Sequence, residues 1–130
     1  MAIKAISAGF PSPADDYMDT GIDLNKELIR HPASTFFLRV NGHSMNGSGI
    51  NDNDLLIVDR SIDPLPGRIV VARLDGAFTL KRLVRHHGTL RLEAENPAYP
   101  PIDLHNYGEV QIWGVAIYSI HNLSPSIFAR

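Results

Sequence analysis

Arg68-Ile-Val-Val-Ala-Arg-Leu-Asp-Gly-Ala-Phe-Thr-Leu-Lys-Arg-Leu-Val84 is the stretch that decides how the rest of the chain is read. Two runs rich in apolar and β-branched residues flank Asp75-Gly76, and that pair tolerates the positive φ angles of a two-residue hairpin turn. Residues 68–84 are therefore expected to form a β-hairpin. The same kind of run recurs at Phe36–Val40, Leu55–Asp59, Thr89–Ala94 and Val110–Ile120, each bounded by Gly, Asn, Asp or Pro clusters. Several short strands at close intervals predict a mainly β fold of curled, partly closed antiparallel sheets. One short helix precedes them: Ile22–Ile29 places Leu24, Leu28 and Ile29 at helical spacing and stops before His31-Pro32.

Upstream of that helix, residues 9–21 hold Gly9, Pro11, Pro13, Gly21 and three aspartates, which resist regular structure and predict an extended arm. The expected organisation is a flexible leader and arm over 1–21 and one folded domain over 22–130. With 130 residues, 44% of them hydrophobic, a single domain has enough apolar material for a core without staples. The net charge of −2, with acidic and basic residues interspersed, leaves no electrostatic footprint for direct nucleic-acid binding. The absence of cysteine removes disulfides, thiolate nucleophiles and cysteine-ligated zinc, and fits a cytoplasmic location. No run approaches a membrane span, and the first eight residues are too short for a signal-peptide apolar region.

Chemistry is concentrated in two places. The loop Val40-Asn-Gly-His-Ser-Met-Asn-Gly-Ser-Gly-Ile50 sets a serine among three glycines, which let backbone turn sharply and approach another chain, as a nucleophile with an oxyanion hole requires. Taken alone, Ser44 is either that nucleophile or an ordinary turn serine. A serine needs a base. His43 adjoins Ser44, but neighbouring side chains on extended backbone point to opposite faces; most of the six histidines, which also include His31, His86, His87, His105 and His121, are expected at the surface, and no spacing among them suggests a zinc site. Lys81 shares one face of its strand with Ala77, Thr79 and Leu83. Held there, it either snorkels to water or, desolvated, drops from the ordinary lysine value of ~10.4 towards neutrality and becomes a base. The acidic run Asn51-Asp-Asn-Asp54 lacks the glycine and distal glutamate of an EF-hand and reads as a turn before Leu55. Nothing calls for a metal or a cofactor.

Gly-His-Ser-Met at 42–45, Phe-Thr-Leu-Lys-Arg-Leu at 78–83 and the intervening Gly-Ile-Asn-Asp-Asn-Asp-Leu-Leu-Ile-Val-Asp, in this order and spacing, resemble the LexA/UmuD family of self-cleaving serine/lysine proteases. The likeness is nearest to the family's UmuD/MucA branch, and it extends from Ala8-Gly9-Phe-Pro-Ser-Pro, which looks like the family's cleavage site, to Ile112-Trp-Gly-Val. It implies Ser44 as nucleophile, Lys81 as general base, backbone N–H groups of His43 and Ser44 as the oxyanion hole, and Ala8–Gly9 as the scissile bond. It also implies cleavage promoted by a RecA filament on single-stranded DNA, and a homodimer that serves a UmuC-like Y-family polymerase in translesion synthesis. Eight residues precede the bond, fewer than in the leader of UmuD-like proteins. Rival readings are a signal-peptidase-like processing protease, disfavoured by the missing anchor, and a non-catalytic polymerase accessory module of the same fold. A repressor is disfavoured by the missing helix-turn-helix region.

Overall fold

The structure, a computed structural model, describes residues 8–10 and 21–128. The chain divides into two compact units, Met1–Arg30 and His31–Arg130. In the first unit, helix α1 spans Leu24–Leu28. Asp23 caps it, its carboxylate accepting from the N–H groups of Asn25 and Lys26, and Ile29 leaves the helix with extended backbone angles. The helix is thus one turn rather than the expected two, because the cap sits one residue after Ile22 and the exit begins at Ile29. The leader 1–7 and the arm residues 11–20, Pro11 and Pro13 among them, lie outside the described residues.

The second unit is a single curled antiparallel sheet of seven strands: β1 Thr35–Arg39, β2 Leu55–Asp59, β3 Ile69–Leu74, β4 Ala77–His86, β5 Thr89–Glu93, β6 Ile102–Asp103 and β7 Val110–Ile120. Their spatial order is β1-β2-β7-β3-β4-β5-β6. Asp75 and Gly76 have φ of 47° and 89°, so the hairpin expected from the opening stretch is present, with Leu74 opposite Ala77. A second turn of the same sort, His87-Gly88 with φ of 49° and 80°, joins β4 to β5. It lets β4 run to His86, two residues beyond the expected strand. Strand β6 was not legible, since two residues after Pro100-Pro101 carry no alternation to read.

Curvature comes from β7. Its partners slip register at Ile57/Val58 on one side and at Val71/Ala72 on the other, and such irregularities bend and twist a sheet. Gly114 lies between them, where a Cβ would come within 2.6 Å of Val58 Cγ1.

Val70, Ala72 and Leu74 pack with Leu83, Leu92 and Val115, whereas Val71 packs with Met45, Ile50, Leu56 and Val58. Because successive strand residues face opposite ways, these two clusters cover the two faces of β3. The second cluster matters most for the site: Met45 is only 2% exposed, so the residue beside Ser44 anchors its loop in the core.

Candidate active site

A cleft of about 340 Å³ opens between the end of β1, the 41–45 loop and the start of β4; Ser44, Lys81, Leu38, Leu56, Phe78 and Tyr99 are among its walls. Lys81 Nζ lies 3.0 Å from Ser44 Oγ. It also lies 3.0 Å from Thr79 Oγ1 and 3.1 Å from the Leu80 carbonyl oxygen. These three oxygens are all neutral, and among the described residues no carboxylate reaches ion-pair distance of Lys81. The lysine is 6% exposed. Burial disfavours the ammonium and pushes the amine below its ordinary value. A neutral amine suits the three contacts well: its two N–H groups donate to Thr79 and Leu80, and its lone pair is left for the Ser44 hydroxyl.

Two structural reasons place Ser44 here. The buried Met45 fixes the loop from below, and backbone around Glu95 fixes it from the side. Glu95 N–H donates to the Ser44 carbonyl at 2.8 Å, and Gly47 N–H donates back to the Glu95 carbonyl at 2.7 Å. A Cβ on Gly47 would sit 2.3 Å from that carbonyl oxygen, so this glycine permits the close approach. Asn96 Nδ2 adds a bond to the His43 carbonyl at 3.0 Å. Gly42, with φ of 103°, turns the chain into the loop while its N–H donates to Asp52 at 2.7 Å.

The expected site residues fall into two groups. Ser44 and Lys81 meet, although 37 positions separate them. Ala8 and Gly9 belong to the first unit and are exposed. The histidine imidazole next to Ser44 makes no hydrogen bond to it among the described residues. Sequence reasoning left Thr79 without a role, although it stands two residues before Lys81 on the same strand face. It passed over Glu95 and Asn96 entirely, where Asn96-Pro97 was a turn signal.

Two further carboxylates are buried away from the cleft. Asp54, just before β2, and Asp59, its last residue, are each 1% exposed. Asp54 accepts from Asn51 N–H at 2.8 Å, from Ser119 Oγ at 3.0 Å and from His121 Nδ1 at 2.5 Å, which makes the acidic run a turn, as expected. Asp59 accepts from Ser34 Oγ, from Ser61 through both N–H and Oγ, and from His31 Nδ1 at 2.6 Å. Burial pushes both carboxyls up, but their hydrogen bonds together outweigh it and hold both below the usual carboxylate range. The rings of His31 and His121 are partly exposed, yet each covers a buried acid.

A curled β-sheet that holds a serine hydroxyl against a buried lysine amine is compatible with a peptidase, and the comparisons with known proteins give a peptidase family. Residues 1–117 match the family described as Peptidase S24-like, and the chain belongs to that serine peptidase family. It is 45% identical to Protein ImpA of Salmonella typhimurium over 115 residues, covering 88% of this chain and 77% of the relative. Protein MucA of Escherichia coli is 42% identical over 120 residues, 91% of this chain and 81% of the relative. The LexA repressor of Vibrio campbellii is 37% identical over 121 residues, 92% of this chain but 58% of the repressor. The resemblance read from the sequence is thus borne out, with the UmuD-like proteins nearer than LexA.

Proposed function

We propose that this chain is a UmuD-like protein of SOS mutagenesis that cleaves itself at Ala8–Gly9 with Ser44 and Lys81. The observation that carries the reading is the 3.0 Å contact between Ser44 Oγ and a lysine nitrogen whose other neighbours are neutral oxygens. In the first step Ser44 Oγ attacks the Ala8 carbonyl carbon while its proton passes to neutral Lys81 Nζ. The negative charge that develops on the carbonyl oxygen is met by backbone N–H groups at His43 and Ser44. Collapse of the tetrahedral intermediate breaks the C–N bond, and Lys81 returns the proton to the departing Gly9 amine. Water, deprotonated by Lys81, then releases residues 1–8 from Ser44 and restores the dyad.

The arm 9–21 brings the bond to the cleft of its own chain or of a partner. Family membership supports the wider setting: promotion of cleavage by a RecA filament on single-stranded DNA in the cytoplasm, and a homodimer of the 9–130 product serving a UmuC-like Y-family polymerase.

Intact-mass measurement tests the reading. Protein held at mildly alkaline pH, or with RecA, nucleotide and single-stranded DNA, is expected to yield a species beginning at Gly9 that is absent in Ser44→Ala and Lys81→Ala. If the mass never changes under either condition, the chain acts as a non-catalytic accessory module instead.

A further inference from the structure

The two peptide groups flanking Ser44 are both held by their carbonyls. Asn96 Nδ2 binds the His43 carbonyl and Glu95 N–H binds the Ser44 carbonyl. In a trans peptide the carbonyl and the N–H that follows it point in opposite directions, and every described peptide bond is trans. These bonds therefore turn the N–H groups of Ser44 and Met45 away from the 95–96 segment. Neither N–H donates to any acceptor among the described residues. A free, directed N–H on a serine that faces a general base is what a developing oxyanion requires.

The 95–96 segment is itself braced. Arg82, next to Lys81 on β4, donates from Nε to Glu95 Oε1 at 2.5 Å and from its terminal nitrogens to the Gly67 carbonyl and to Ser48 Oγ. Asn96 does two separable jobs. Its Oδ1 accepts from Ala98 N–H at 2.9 Å and shapes its own turn, while its Nδ2 reaches across to the serine loop.

We propose that Asn96 is a positioning residue for the oxyanion hole, its side-chain amide holding the His43 carbonyl so that the Ser44 N–H points at the reacting carbonyl oxygen. The inference rests on the protease reading above. It gives the loop after β5 a part in the reaction without contact to substrate.

Two variants separate the tether from the turn. Asn96→Asp keeps an oxygen for Ala98 N–H but loses the donor and adds a charge. Asn96→Ser also offers an oxygen to Ala98, is too short to reach His43, and adds no charge. The limiting self-cleavage rate at high pH is expected to fall about tenfold or more in both, because small misplacements of reacting groups are costly in rate. Labelling of Ser44 by a fluorophosphonate should slow in parallel. The pH midpoint of the Asn96→Ser rate profile should match that of the wild type, since Lys81 keeps all its contacts. A wild type that cleaves, beside either variant cleaving within twofold of it, overturns the assignment to Asn96 alone. A shifted midpoint in Asn96→Ser overturns it too, because the effect would then run through the base. A wild type that neither cleaves nor labels overturns the protease reading and this inference together.

Discussion

Strand β2 and strand β4 both carry an ionisable group into the interior, and they treat it in opposite ways. Asp54 and Asp59 at the ends of β2 are almost wholly buried, yet each is surrounded by donors and covered by a histidine, so each stays ionised. Lys81 on β4 is buried nearly as deeply but, among the described residues, its amine meets two hydroxyls and a carbonyl. Burial is common to both regions and decides neither. What differs is the supply of complementary charge and donors: where it is complete the carboxyls are held below their usual range, and where none is seen among the described residues burial pushes the amine below its ordinary value.

The largest expected effect breaks the reactive side of that contrast. Lys81→Met should lower self-cleavage by roughly 10²–10⁴-fold, as loss of a general base does, with no loss of fold. It should also change how stability depends on pH. The folded lysine has a lower pKa than the unfolded one, so over the alkaline range the unfolded chain binds more protons and stability rises with pH until the unfolded value near ~10.4 is passed. Urea unfolding across pH 7–10 should show this rise in an uncleavable Ser44→Ala background and lose it when Lys81→Met is added.

Asp59→Ala should do the reverse, harming the fold and sparing the chemistry. It leaves the donors of Ser34, Ser61 and His31 facing a void, at a cost of about 3 kcal/mol in urea unfolding. Below its own melting temperature the variant should still cleave at close to the wild-type rate. The acid leg follows from the same group: the folded pKa lies below the unfolded value of ~3.9, so the stabilisation is complete above that value and is lost as pH falls through the folded pKa. Asp59→Ala should therefore show a flatter loss of stability below pH 5 than the wild type.

The smallest expected effect sharpens the comparison within the cleft. Thr79→Val removes one of the two acceptors that orient Lys81 Nζ and should slow cleavage about tenfold, while Thr79→Ser restores it. Equal rates in all three proteins would mean that the Leu80 carbonyl alone aims the amine.

The Asp75-Gly76 and His87-Gly88 turns, and with them the β3-β4-β5 meander, were legible because their chemistry is local: the residues that need positive φ are the ones that tolerate it. Ser44 and Lys81 were each ambiguous alone, since a glycine-rich loop and a single charge on a strand face have ordinary explanations. Their pairing across 37 positions became readable through the family pattern. The supports of the site were not readable. Asn96 and Glu95 act through bonds to backbone of a distant loop, and backbone contacts leave no pattern in side-chain types; Arg82 braces Glu95 from 13 positions away. The histidines on Asp54 and Asp59 were missed for a related reason, because a partly exposed ring and a buried acid 67 and 28 positions away look unrelated along the chain.

The central proposal is that the buried Lys81 amine is the base for Ser44, and titration of that amine by ¹⁵N-detected NMR in Ser44→Ala protein tests it most directly. The account predicts a midpoint clearly below the ordinary lysine value of ~10.4. A Lys81 amine that titrates at or above that value would contradict it.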